Sequence, residues 1–154
     1  MSVYCLTTAV AALLTAPAAS SPAVEVRLSK PAYELKVQTA YARVQAAFRA
    51  TRGRSGAALA AEIAGAQRTL REAADELAAA RPPSDVVEEN RALAEAMRSY
   101  ARALDDASRA AARGDHATLA TFADASTNAA VRELAEAAEK MKYKGYRLGP
   151  IAKD

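Results

Sequence analysis

The stretch LREAADELAAARPPSDVVEENRALAEAMRSYARAL, residues 70–104, decides the fold. Before Arg81-Pro82-Pro83, the positions Leu70, Ala73 and Leu77 recur at steps of 3 and 4. After it, Val86, Asn90, Leu93, Met97, Tyr100 and Leu104 do the same. Such spacing returns side chains to one face of an α-helix, so both flanks read as amphipathic helices. Two successive prolines cannot extend the hydrogen-bond ladder, and the residue before a proline is driven out of the helical region. A helix, a hard stop and a second helix therefore make a helical hairpin.

Working outward, the helix before the stop extends back to about residue 56 through Ala66, Ile63 and Leu59, and forward to Ala80. The helix after it starts after Ser84 or Asp85, with Asp85-x-x-Glu88 related to a capping box, and continues through Ala107 and Ala111 to a stop at Gly114. Upstream, Ser29 before Pro31 reads as a cap with proline in the first turn. Tyr33, Val37, Tyr41, Val44 and Phe48 then mark a face up to about Arg52. Gly53 and Gly56 end that helix, and Ser55 is placed to cap the next. Downstream, Asp115 caps a segment with Leu119 and Phe122, and residues 124–128 (DASTN) favour a break because their side chains compete for backbone partners. Helix resumes through Val131, Leu134, Ala138 and Met141 to about Tyr143; Gly145 ends it, and Tyr146 or Leu148 can fold back as the hydrophobic contact of the cap. Short connections favour antiparallel neighbours. The expected architecture is all-α: an up-down-up-down antiparallel four-helix bundle over residues 31–148, its fourth helix broken or kinked near 124–128. The same periodicity suits an antiparallel dimer of hairpins, so the expected state is a monomer or a helical homodimer.

Composition points the same way. Of 154 residues, 43 are Ala, with six Gly and six Pro, and Ala has the highest helix propensity. One Cys and one His leave no disulfide framework, no Cys/His zinc site and no histidine-based triad with a spare His.

Residues 1–24 carry no charged side chain, and Leu6–Thr15 (LTTAVAALLT) is followed by Ala16-Pro17-Ala18-Ala19. So short an apolar run cannot span a bilayer, which takes about 20 residues; with small residues after it, it has the pattern of an export signal over residues 1–19, cleaved after Ala18 or Ala19. The segment before it has no Lys or Arg. Cys5 follows Tyr4 rather than a small residue, so it is not read as a lipid-attachment site. Residues 20–30 read as a polar lead-in and 149–154 as a tail.

Chemistry is sparse. His116 stands alone, without the Glu-x-x-His motif of bundle metal sites. The acids Glu72, Asp75, Glu76, Glu88, Glu89, Asp105, Asp106, Glu133, Glu136 and Glu139 lie mostly off the apolar seams. Several have bases at helical spacing, such as Asp105 with Arg109 and Glu136 with Lys140. They read as solvated faces, with acid–base or metal-dependent catalysis as the alternative. Arg43, Arg49, Arg52 and Arg54 gather toward the end of the first helix. Lys140, Lys142, Tyr143, Lys144, Tyr146 and Arg147 form a basic, aromatic C-terminal segment that suits contact with an anionic surface; a net charge of +3 is small for a nucleic-acid binder, so nucleic acid is not the expected partner. Asn90, Tyr33, Tyr41 and Tyr100 interrupt apolar faces. They read as register-fixing or ring-burying residues with wetted hydroxyls, and alternatively as the polar atoms of a ligand pocket within the bundle.

The signal-like start, the turn Ala79-Ala80-Arg81-Pro82-Pro83-Ser84-Asp85 between helices, Arg113-Gly114-Asp115 and the Lys144-Gly145-Tyr146 ending together resemble small exported or lipoprotein-like all-helical proteins of high-GC bacteria, most strongly over residues 68–148. The resemblance implies a compartment and a fold, and no activity. The expected function is that of an exported, non-catalytic binding or structural module of the cell envelope. Its partner would be a protein or envelope component, with no metal and no cofactor.

Overall fold

The computed structural model describes residues 26–124 and 128–149; the signal-like segment 1–19 and nearly all of the tail 149–154 lie outside them. The described residues are all-helical. In chain order they form α1 (Lys30–Ala50), α2 (Gly56–Ala78), a 3-10 turn (Ser84–Val86), α3 (Val87–Arg113), α4 (His116–Ala123) and α5 (Ala129–Tyr143). What was expected as one broken fourth helix is two separate helices. Asp115 caps α4 by accepting from the Thr118 N–H at 3.0 Å, and Asn128 caps α5 by accepting from Ala130 at 3.1 Å and Val131 at 3.4 Å.

Local chemistry sets most boundaries. Ser29 Oγ accepts from the Ala32 N–H at 3.4 Å, with Pro31 in the first turn of α1. At the end of α3, Gly114 takes the left-handed conformation at φ +68°. Its N–H donates to the Ala111 carbonyl at 3.1 Å and that of Asp115 to Ala110 at 2.9 Å, the paired bonds of a Schellman turn. Two expected caps differ. Ser55 makes no side-chain cap bond to α2. Asp85 does not close a capping box, because a 3-10 turn takes up residues 84–86 and the Asp85 carboxylate turns instead to the Tyr146 hydroxyl. The lead-in is tied to the α2–α3 turn: the Leu28 N–H donates to the Arg81 carbonyl at 2.8 Å and the Arg27 guanidinium to Pro82 at 3.2 Å.

α3 is the hub. It packs most extensively on α2, then on α5 and α4, while α1 lies on α2. Being covered on more than one side, α3 buries Ala94, Ala96, Ala101 and Ala110 in addition to its expected seam. The largest fully buried side chains are Tyr33, Leu70, Leu77, Leu104, Met141 and Leu148, followed by Val37 and Val86. Alanines make up 13 of the 26 buried apolar residues, so helices approach closely and each large side chain carries a disproportionate share of the burial. One polar residue joins this core unannounced by any seam: Gln67 donates to the Ala101 carbonyl at 2.7 Å and to Asp105. No helix of the described residues is long and apolar enough to cross a membrane.

Candidate functional site

Two clusters of aromatic and polar side chains stand out, one where α1 and α3 begin and one where α1 ends. The first is closed. Tyr33, with no exposed surface, donates its hydroxyl to Asn90 Oδ1 at 2.8 Å and lies 3.8 Å from Met141 Sδ. Asn90 Nδ2 donates to the Leu77 carbonyl at 2.8 Å. The expected wetted hydroxyl at Tyr33 is thus corrected: the ring sits too deep for water, and Asn90 supplies its acceptor. Tyr146 packs edge-on against Tyr33 with centroids 5.9 Å apart, and its hydroxyl donates to Asp85 at 2.8 Å. Burial above all, then Tyr146 and Glu89, pushes the Tyr33 hydroxyl far above the ordinary phenol range. Burial first, and the bond to Asp85 second, pushes Tyr146 up to about 12.

This closed cluster absorbs much of the basic C-terminal segment. Lys144 Nζ bonds to Glu89 at 2.6 Å and to the Asp85 carbonyl at 2.6 Å, and the Lys144 bond holds the Glu89 carboxyl below the ordinary range. Lys142 pairs with Glu139 at 2.7 Å. Tyr146 is only 3% exposed. The Arg147 backbone N–H donates to Glu34 at 2.9 Å and its carbonyl accepts from Gln38 at 2.7 Å, so the segment straps across α1. Lys140, Tyr143 and the Arg147 side chain remain at the surface, Tyr143 being 94% exposed. Elsewhere the acids are largely exposed and several are paired: Glu76 with Arg43, Asp75 with Arg98, Glu95 with Arg98 and Arg102. Arg109 meets Asp106 rather than the expected Asp105, which is taken by Gln67. His116 is exposed at the first residue of α4. Among the described residues no three His, Cys, Asp or Glu side chains gather as a metal-binding group.

The second cluster is open. A groove of about 430 Å³ is lined by Tyr41, Val44, Gln45, Phe48 and Arg49 of α1, by Thr51 and Arg52 just beyond it, by Tyr100 of α3 and by Leu134 of α5. Phe48 stacks on Tyr100 with centroids 5.6 Å apart and planes 17° apart, and Tyr100 stacks on Phe122 of α4 at 6.1 Å and 6°. Three helices therefore contribute to one parallel ladder of rings. Burial raises the Tyr100 hydroxyl above the ordinary phenol range, which keeps it neutral. Gln45 Nε2 donates to the Tyr41 hydroxyl at 2.5 Å. Arg49 and Arg52 are exposed and have no carboxylate partner among the described residues, and no acidic residue lines the groove. Apolar walls of this size with a few convergent polar groups are the usual form of a small-molecule site. A depression of about 460 Å³ beside Val26, Leu28 and Leu35 is flatter and has no aromatic lining.

The structure thus separates residues that the sequence suggested as a group. Tyr33 and Asn90 go to the closed cluster, Tyr41 and Tyr100 to the groove, where Arg49 and Arg52 join them. Phe48, Phe122 and Leu134 belong to the groove or its ladder although their spacing marks them only as core. The signal that points to them is scarcity: the chain has six Tyr, two Phe and no Trp, and both Phe stand in this ladder.

The chain matches no family model, no curated protein and no solved structure.

Proposed function

We propose that this chain is an exported, non-catalytic binding module of the cell envelope, an up-down-up-down antiparallel bundle that holds a small apolar-bodied ligand in the Tyr41–Phe48–Tyr100 groove. The observation that carries this reading is the groove itself: half-buried rings from different helices, left open among the described residues, with two cations and no carboxylate in its lining. A side chain that served only the core would gain by being covered, as Tyr33 is. The topology is supported by Tyr33 meeting Asn90 and Phe48 meeting Tyr100, which is how α1 and α3 meet when they run in the same sense. Export rests on the pattern of residues 1–19.

Chemical-shift mapping of the labelled chain with a panel of neutral and charged amphiphiles tests the site. Perturbations should concentrate at Tyr41, Val44, Phe48, Tyr100 and Leu134; shifts confined to other surfaces would exclude the groove. N-terminal sequencing from fractionated cells tests the compartment, with a start after Ala18 or Ala19 expected and an intact Met1 in the cytosol counting against export.

A second reading is peripheral contact with an anionic membrane or polymer through Lys140, Lys142, Tyr143, Lys144, Tyr146 and Arg147. Its support is the fully presented Tyr143 ring beside exposed Lys140. With Lys142 and Lys144 paired and Tyr146 buried, fewer charges remain to be offered than the sequence counts. Co-sedimentation with anionic vesicles at low and high salt tests it, and no binding at low salt ends it.

A further inference from the structure

Resting on the groove reading above, we propose that the ligand is a planar aromatic acid, its ring lying against Phe48 and Tyr100 and its anionic group held by Arg49 and Arg52. Three observations converge. First, aromatic side chains are scarce in this chain, yet Tyr41, Phe48 and Tyr100 line one groove and Phe122 continues the stack behind them. Phe48, Tyr100 and Tyr41 give the groove an aromatic lining, against which a ligand ring has preferred face-on and edge-on contacts and a flexible alkyl chain has none.

Second, the charge at the groove is one-sided. Some other guanidinium groups on this molecule have acids: Arg43 grips Glu76 with two bonds, and Arg98 and Arg102 share Glu95. Arg49 and Arg52 have none among the described residues, and no carboxylate lines the groove to compete for them. A guanidinium presents N–H donors in a fixed fork that matches the two oxygens of a carboxylate. Two such forks beside an apolar wall select an anion whose body is apolar.

Third, the neutral groups fit. Gln45, Thr51 and Tyr100, whose hydroxyl burial keeps neutral, add no negative charge to the groove. The carbonyl end of α1 also favours cations at this place whatever the groove does. For that reason the test reads anion preference rather than stability.

The test is calorimetric titration of the full chain with 2-naphthoate, its uncharged counterpart 2-naphthalenemethanol, and decanoate as a flexible anion, each at low and high salt. Naphthoate should bind about tenfold more tightly than the alcohol at low salt, a preference that shrinks as salt is raised. It should also bind more tightly than decanoate. The Arg49→Gln/Arg52→Gln double variant, altered only at exposed positions, should bind naphthoate no better than the alcohol. Equal binding of naphthoate and the alcohol by the unaltered chain, or an unaltered preference in the double variant, overturns the assignment while leaving an apolar groove in place. Decanoate binding as tightly as naphthoate overturns the aromatic class. Binding of none of the three overturns the groove reading and this inference together.

Discussion

The two ends of the α1–α3 pair are built from the same materials and finished differently. Where the helices begin, Tyr33, Asn90 and Tyr146 form a sealed cluster in which each hydroxyl has a named acceptor. Where α1 ends, Phe48 and Tyr100 are only partly buried, beside two arginines that have no acid partner among the described residues. The difference is the strap. Residues 144–148 fold back over the first end and bring Tyr146 and Leu148 into the core, whereas no equivalent segment among the described residues covers the second. Rings of one kind thus serve as mortar at one end and as an accessible wall at the other.

Truncation of rings should break the comparison most visibly. Tyr33→Ala, emptying a site with no exposed surface, should cost about 3–5 kcal/mol, and Phe48→Ala clearly less because its ring is only partly buried. Chemical denaturation measures both, and equal losses would erase the distinction between a sealed and an open end. Next in size is Tyr33→Phe, which removes the donor to the buried Asn90 Oδ1 and should cost about 1–3 kcal/mol.

A third measurement uses alkali. With Tyr146 raised to about 12 against an ordinary value of 10.0, its contribution is present in full below the unfolded value and lost as pH rises toward the folded one. Stability should therefore fall between those two values, and Tyr146→Phe should flatten the fall. At neutral pH that variant should cost at most about 1 kcal/mol, since Asp85 is exposed and can turn to water. The smallest effect belongs to the groove arginines. Arg49→Gln and Arg52→Gln should each shift stability by less than about 0.5 kcal/mol, as exposed positions without ion pairs do; a larger loss would mean that they hold the fold together rather than await a ligand.

Much of the fold was legible because punctuation and periodicity agreed. Pro82-Pro83, Gly114 and the Asp124–Asn128 break fall where the structure has its stops, and Leu70, Leu77, Leu93 and Leu104 are buried as their spacing requires. Caps were less legible where a distant partner competed. Asp85 has the local pattern of a capping residue, but Tyr146, 61 positions away, claims its carboxylate. Gln67 was hidden for a similar reason: its acceptors, Ala101 and Asp105, are on another helix. The groove was legible only in fragments. Tyr41, Tyr100 and the arginines were each conspicuous, yet periodicity within single helices carries no information about which end of one helix meets the middle of another.

The strap also imposes an order on the life of the chain. Tyr146 follows Tyr33 by 113 positions, so the face of Tyr33 that it covers stays open until the chain has been made at least that far. Domains ordinarily begin to fold while the chain is still emerging, at about 5–20 residues per second; this one cannot seal the end of α1 that holds Tyr33 before Tyr146 has emerged. An early helix whose cover is made so much later must wait with its aromatic face open, and cutting the strap away would return it to that state.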